Sequence, residues 1–369
     1  MLLGVNGIRL LGKRSGVGRA IEAILKCMDE LEHPFTEIRV YTPKPIDEAV
    51  KLPSIATNVV LESPLPYAAW EQFVLPRAHG DKHLLLCPSY IAPIFAQCPI
   101  FLIHHGSYEG YPQGYDWLTL NKARAIYTLS AKRANGLSTV SECSRQDMAR
   151  FYGVPLAKIQ VVPEGVDTQL FRPIEDRQRL AAWRTAIFGE DVPFILFVGK
   201  PTKRHNLPSL IRAFGLLKQE QKIPHKLLLI GMSLPGTSFE HAIAEMGIDR
   251  EVFTIGHTSH DDIVLAYNAA DLLIYPSSYE GFGMPILEAM ACGKPAISID
   301  NTAFPEFSKG IAHLLPDVEV NTLKTGMLAV LNDPAWQSEM AKAGPIRAAQ
   351  YDWRLVTQQY LDLMVPLAT

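Results

Sequence analysis

Short apolar runs separated by amphipathic stretches recur along the whole chain. Residues 2–6, 37–41, 58–61, 83–87, 100–103 and 137–140 each read as a strand buried on both faces, as parallel strands are. Between them the spacing turns helical. Ile21, Ile24, Leu25 and Met28 line one side of a helix over 17–31, and residues 70–79 and 141–152 show the same three-to-four period. A second series occupies 194–198, 226–230, 252–255, 270–275 and 296–299, with helical spacing in Leu210, Ile211, Phe214 and Leu217 and again beyond Val320. A last amphipathic helix covers 355–364. Strands alternating with helices predict an α/β fold of parallel, doubly wound sheets, and 369 residues suffice for two such domains. Residues 163–190, with Pro163, Gly165, Pro173 and Gly189, suit a connector between them.

In such sheets ligands bind beyond the carboxyl ends of the strands, so the turns after strands matter most. The stretch 275–288, Tyr-Pro-Ser-Ser-Tyr-Glu-Gly-Phe-Gly-Met-Pro-Ile-Leu-Glu, joins a strand to an Ala-rich helix. Gly281 and Gly283 allow a tight turn with exposed amides, Pro285 suits a helix start, and the helix N-terminus adds partial positive charge. Glu280 and Glu288 flank this anion-holding turn, and carboxylates accept hydrogen bonds from sugar hydroxyls. Amides for phosphate beside carboxylates for hydroxyls suggest a sugar nucleotide. For either Glu alone, complementing a helix dipole is the plainer role.

The run Lys200-Pro201-Thr202-Lys203-Arg204-His205-Asn206 comes after another strand of the same domain. Alone it reads as a solvated charged loop; facing the glycine turn, Lys200, Arg204 and His205 become a diphosphate clamp. In the first domain, Gly16-Val17-Gly18 sits between a strand and a helix but lacks the third glycine and the acid of a nicotinamide site. His104 and His105 come directly after the strand 100–103; histidines there satisfy loop backbone as readily as substrate.

Composition narrows the class. The chain is 48% hydrophobic and 20% charged, as globular proteins are, and its net charge of −3 argues against a nucleic-acid partner. Five scattered cysteines without a C-x-x-C pair indicate neither a disulfide framework nor a zinc site, which points to a reducing cytosol. Neither a signal peptide nor a membrane span is apparent. Lys122, Arg124, Lys132 and Arg133 beside Ile126, Tyr127 and Leu129 have the composition of a basic interfacial helix, although an ordinary solvated helix is the plainer reading.

Glu280 to Glu288 resembles the E-x7-E signature of the GT-B glycosyltransferases of family 4, in the form E-G-F-G-x-P-x-x-E, and Ala289 to Pro295 resembles the next stretch of that family. Ser15-Gly16-Val17-Gly18-Arg19 is similar to the family's N-terminal glycine loop, and 140–167 and 300–306 resemble further segments. Three positions depart: His105 stands where Asp is usual, Glu164 where Asn is usual, and His205 where Lys is usual.

The resemblance implies two Rossmann-like domains facing an interdomain cleft. Residues 1–170 would form the acceptor domain, with the helix of 352–369 packing back on it, and 171–351 the donor domain. It further implies retaining transfer of a hexose, with UDP-glucose as first donor and GDP-mannose as second, to a glycan or lipid-linked acceptor in polysaccharide biosynthesis. Lys200, Arg204 and His205 would hold the diphosphate, Gly281, Phe282, Gly283 and Met284 the phosphate and sugar, Glu280 the sugar hydroxyls and Glu288 the ribose. Gly16 and His104 would reach the same point from the first domain, His104 and Glu280 acting in catalysis. No D-x-D stands where a metal would be wanted, so no metal or cofactor is expected and side chains with helix dipoles would neutralise the leaving group. A sugar-nucleotide epimerase on the same fold is the nearest rival; a dehydrogenase and an exported sugar-binding protein are more distant ones.

Overall fold

The computed structural model describes residues 1–12, 16–106, 108–232, 239–256 and 258–368. Its contacts divide the chain into two units, Met1–Gly165 with Tyr351–Thr369, and Val166–Gln350.

The first unit holds seven strands: β1 (Leu2–Asn6), β2 (Glu37–Thr42), β3 (Ala56–Val60), β4 (Leu84–Cys87), β5 (Ile100–His104), β6 (Gly136–Thr139) and β7 (Ile159–Val161). They pair in parallel in the order β3-β2-β1-β4-β5-β6-β7. Successive side chains of β4 serve opposite faces: Leu84 and Leu86 join one core with Ile21, Ile24 and Leu25 of the helix Gly16–Met28, while Leu85 and Cys87 join another with Trp70, Tyr127 and Met148. Both faces are covered, which is why the strand reads as an unbroken apolar run.

The helix Trp353–Ala368 completes the first of these cores, burying Trp353, Val356, Tyr360, Leu361 and Met364 against it. Gly165 makes room for this helix, because a Cβ there would stand 2.5 Å from the Trp353 ring.

The second unit pairs β8 (Phe194–Val198), β9 (Lys226–Ile230), β10 (Val252–Ile255), β11 (Leu272–Tyr275), β12 (Ala296–Ile299) and β13 (His313–Leu315) in the parallel order β10-β9-β8-β11-β12-β13. Each sheet therefore reverses its direction of growth once, at β1/β4 and at β8/β11. These reversals are topological switch points, where loops diverge and leave a crevice.

The edge strands β7 and β13 are only three residues long each, too short for the sequence pattern to mark them as strands. The expected helix over 70–79 is two, Tyr67–Phe73 and Leu75–His79, since Pro76 cannot donate into a continuous helix. The expected basic helix spans Trp117–Arg133, capped by Asp116, whose side chain accepts from the Thr119 amide at 2.9 Å. Its Tyr127 points into the core, Arg124 bonds Glu109 and Arg133 donates to the Ala96 and Cys98 carbonyls, so those side chains serve the protein's own packing. Among the described residues no helix is long and apolar enough to cross a membrane.

Trp353→Ala removes a buried indole from the first core and should cost about 3–5 kcal/mol in urea unfolding. Leu355→Ala on the exposed side of the same helix should leave stability within about 0.5 kcal/mol.

Candidate functional site

At the β8/β11 switch point two loops are laced together. The loop after β8 runs through a 3-10 turn, Lys203–His205, and ends at Asn206, whose φ of 49° is left-handed. From there the Asn206 side-chain amide donates to the Pro276 carbonyl at 2.9 Å and to Ser278 Oγ at 2.8 Å, across to the loop after β11. The Ser278 amide donates back to the Arg204 carbonyl at 2.8 Å. On the far side Asn301 donates to the Ser278 carbonyl at 3.2 Å, and Thr302, also left-handed at φ 48°, accepts the Glu280 amide through Oγ1 at 3.3 Å. Non-glycine residues in the left-handed region, one in the loop after β8 and one in the loop after β12, mark loops held in place by their surroundings.

The object so held is Glu280. Its Oε1 meets the Arg204 guanidinium, Ser277 Oγ at 3.0 Å, the Tyr275 hydroxyl at 3.1 Å and His205 Nε2 at 3.2 Å. All of these converge on one oxygen; among the described residues Oε2 accepts no hydrogen bond. Burial is the largest influence on this carboxyl and would raise its pKa, but Arg204, His205 and Ser277 together outweigh it and hold it below the usual carboxylate range. Stability contributed by this network is present above the unfolded pKa near 4.5 and is lost as pH falls through the folded value.

His205 is placed differently from the sequence expectation. It is 2% exposed, Nδ1 lies 2.5 Å from the Lys200 carbonyl and Nε2 faces Glu280 and Tyr275. A carbonyl only accepts, so Nδ1 carries the proton, and both ring nitrogens are occupied beneath the loop. The residue positions Glu280; it does not present itself to a phosphate. Lys200 is exposed, and its ammonium has no partner among the described residues.

Glycine is required at 283, where φ is 119° and a Cβ would lie 2.5 Å from the Phe304 ring. This residue caps the helix Met284–Ala291 with Pro285 in its first turn, and among the described residues the Gly283 and Met284 amides donate to no protein group. Phe282 stacks on Phe307 with ring centroids 4.5 Å apart. Glu288, 4% exposed, faces inward from this helix and accepts from the Tyr267 hydroxyl at 2.6 Å. Glu280 and Glu288 both act on Tyr275, whose hydroxyl is held well above its ordinary pKa by burial and by these two carboxylates. Sequence patterning does not single out the side chains that tie the site together, Asn206, Tyr275, Ser277, Asn301 and Thr302, because none of them carries a local signal for the role.

In the first unit, Gly16 opens the helix Gly16–Met28; Ser15 of the expected glycine loop lies outside the described residues. His104 ends β5 and is fully buried among Tyr90, Tyr127 and Tyr152, with ring centroids 5.0–5.4 Å away. Neither ring nitrogen has a partner among the described residues, and burial, then the neighbouring His105, lowers its pKa to about 3. It is a neutral imidazole in an aromatic cage, one wall of which is Tyr90, a residue with φ 62°.

Two departures from the family pattern prove to be partners. His105 Nδ1 lies 2.6 Å from Glu164 Oε1, and its Nε2 lies 2.8 Å from the Pro88 carbonyl. Burial would depress the His105 pKa, yet Glu164 reverses this and leaves it raised. Among the described residues no group of three His, Cys, Asp or Glu side chains is placed to hold a metal ion.

Two parallel doubly wound units, each with loops gathered at a switch point, define the GT-B architecture. Two family models match the chain, one described as glycosyl transferases group 1 over residues 183–347 and one as glycosyltransferase family 4 over residues 14–170. The chain belongs to glycosyltransferase family 4.

Similarity to individual proteins agrees. The O-antigen chain mannosyltransferase B of Escherichia coli is 30% identical over 238 residues, 63% of this chain and 61% of that protein. Sucrose-phosphate synthase from Thermosynechococcus elongatus superposes with a TM-score of 0.80 at 19% identity, covering 100% of this chain and 99% of the other. Anabaena HepE in complex with UDP and glucose does so with 0.78 at 18% identity, covering 98% of each. The chain spans 52–61% of the length of the first curated relatives it matches.

The His105–Glu164 pair makes a pH prediction. A histidine whose folded pKa is raised contributes stability that is full below its unfolded value of 6.5 and disappears as pH rises through the folded one. The melting temperature should therefore fall more steeply as pH rises above about 6.5 in the wild type than in Glu164→Gln. Parallel profiles would dismiss the pair as a source of stability.

Proposed function

We propose that the chain is a retaining, metal-independent hexosyltransferase that moves a mannosyl group from GDP-mannose to a glycan or lipid-linked acceptor in polysaccharide biosynthesis. The observation that carries this reading is the one-sided hold on Glu280. With Oε1 saturated by Arg204, Ser277, Tyr275 and His205, Oε2 is left ionised and oriented to accept from a sugar hydroxyl. The Gly283 and Met284 amides at the helix start suit phosphate oxygens, and Lys200 with Arg204 supplies the charge that offsets a departing diphosphate. Glu288, oriented by Tyr267, suits the ribose.

Retention results from same-face attack: the acceptor oxygen bonds to the anomeric carbon as the bond from that carbon to the phosphate oxygen breaks, and that oxygen takes the acceptor's proton. We keep His104 in the reaction as an uncharged hydrogen-bonding ring, both of whose nitrogens have no partner among the described residues.

The mannosyl preference rests on the 30% identical Escherichia coli relative being a mannosyltransferase. UDP-glucose, the donor that the sequence resemblance favours, is the second reading; HepE was solved with UDP and glucose, but shares the fold at 18% identity. We place the protein on the cytosolic side, consistent with five free cysteines, and read Tyr115, Trp117 and Leu118, 39%, 76% and 53% exposed, as the point of peripheral membrane contact.

GDP-mannose at about a hundredfold excess over its dissociation constant should stabilise the protein by about 2.7 kcal/mol, read as a thermal shift, with UDP-glucose giving less. The opposite order would transfer the assignment to UDP-glucose, and no shift with any nucleoside diphosphate sugar would end the donor reading. Turnover should survive excess EDTA; loss restored by magnesium would replace the metal-independent mechanism.

Glu280→Gln should depress turnover strongly while sparing affinity for the bare nucleoside diphosphate, whereas Glu288→Gln should weaken that affinity by about 1–3 kcal/mol. Folded variants with unchanged affinity and turnover would remove both residues from the site.

A further inference from the structure

The switch point of the first sheet carries a second constellation that the donor site does not use. Asn6 ends β1, and its Nδ2 donates to Glu71 Oε1 at 2.7 Å, while its own Oδ1 accepts the Ile8 amide at 3.3 Å. Glu71 belongs to the helix Tyr67–Phe73 and is 5% exposed. The residues beside it fix that helix: Trp70 Nε1 donates to the Leu61 carbonyl at 2.8 Å, and Gln72 bonds both the Ala92 carbonyl and the Ile94 amide. Glu71 is thus held on one side. Its Oε2 accepts no hydrogen bond among the described residues, yet it is not sealed in as an orphaned buried atom, so it opens to solvent.

Across the switch point, Arg9 Nε donates at 2.8 Å to Ser89 Oγ in the loop after β4. That bond aims an exposed guanidinium whose terminal nitrogens have no partner among the described residues. Arg9 forms no ion pair with Glu71 but is near enough to lower its pKa. Tyr90, the next residue after Ser89, holds its left-handed φ of 62°, so the loop is locally strained where it borders the group.

A carboxylate oxygen that can only accept, beside a guanidinium that can only donate, is the pairing that matches two adjacent hydroxyls. Resting on the glycosyltransferase reading above, we infer that Glu71 and Arg9 form an acceptor subsite in the first unit that reads a vicinal diol of a sugar ring, one hydroxyl donating to Glu71 Oε2 and its neighbour accepting from Arg9.

The electrostatics give this subsite a pH signature. Burial, partly countered by Asn6 and Arg9, raises the Glu71 pKa to about 7. Two further ionisable groups are linked to it: the Cys87 thiol, which burial keeps neutral, and His105, which Arg9 also influences and whose pKa Glu164 raises. Diol binding therefore strengthens as pH rises through about 7 and Glu71 becomes the better acceptor.

The test uses the full chain with methyl α-D-mannopyranoside and its 3-deoxy analogue, which has no vicinal ring diol, titrated by saturation-transfer NMR. The wild type should prefer the parent glycoside. Glu71→Gln, which keeps an oxygen for Asn6 but puts a donor in place of Oε2, should weaken it by at least about tenfold, abolish the preference and flatten the pH dependence. The exposed Arg9→Gln, which leaves the core untouched, should show the same loss of preference. Cooperative thermal unfolding and unchanged nucleoside diphosphate affinity, a property of the second unit, report whether each variant is folded. Equal affinity of the wild type for both glycosides, no saturable binding of either, or unchanged affinity in folded Glu71→Gln and Arg9→Gln would overturn the subsite. A wild type that shows the diol preference but turns over no nucleoside diphosphate sugar would leave the subsite standing and remove the transferase reading.

Discussion

Everything at the second switch point depends on keeping one carboxylate ionised where water scarcely reaches it. A buried carboxylate left alone takes up a proton, and a neutral Glu280 would offer its partners a different pattern of donors and acceptors. The protein prevents this by concentrating Arg204, His205, Tyr275 and Ser277 on one oxygen. The hold is cooperative across the chain, because Arg204 and His205 come after β8 whereas Tyr275 ends β11 and Ser277 lies just beyond it. Asn206, Asn301 and Thr302 then fasten the two loops so that their side chains meet. Removing Arg204 would leave the carboxylate facing a histidine and two hydroxyls, a weaker hold against burial.

The same logic recurs in the first unit with different residues. There too a strand-end side chain, Asn6, ties down one oxygen of a buried glutamate and leaves the other open, and there too a cation from a neighbouring turn stands by. The difference is in charge balance. Glu280 has a guanidinium in contact and its pKa falls, whereas Glu71 has an amide in contact and a guanidinium farther off, and its pKa rises to about 7. His105 and Glu164 add a third solution, an ion pair that burial tightens. Arg9 acts on His105 as well as on Glu71, so these groups share one electrostatic environment.

How much of this is legible in the sequence depends on how local each signal is. Strands such as Phe194–Val198 are buried on both faces and announce themselves as unbroken apolar runs. The edge strands Ile159–Val161 and His313–Leu315 are three residues each and partly exposed, so their apolar residues are too few to be told from those of a loop. Glu280, Glu288 and the glycines between them are contiguous and legible together. Asn206, Tyr275, Asn301 and Thr302 act on Glu280 and its loop through contacts reaching from 5 to about 70 positions away along the chain, which no local pattern encodes. Lys200, Arg204 and His205 look like three equivalent contacts in the sequence, because charge shows there and direction does not. His205 turns inward because a carbonyl and a carboxylate are there to receive it. His105 and Glu164 are two unrelated departures until the fold brings them within 2.6 Å.

The route of the chain has a consequence for how the molecule comes to exist. The core of the first unit contains Leu3, Ile24 and Phe101 but also Trp353, Tyr360 and Met364, and the second unit, Val166–Gln350, lies between these in sequence. On the ribosome the early segment emerges with an apolar face whose cover has yet to be synthesised. At about 5–20 residues per second the intervening stretch takes roughly ten to forty seconds to appear. Through that interval the second unit has all of its own residues and can fold, while the first keeps a hydrophobic surface open to chaperones. Order of synthesis and order of completion thus differ: the core that begins with Leu3 lacks part of its cover until Trp353 to Met364 have been made.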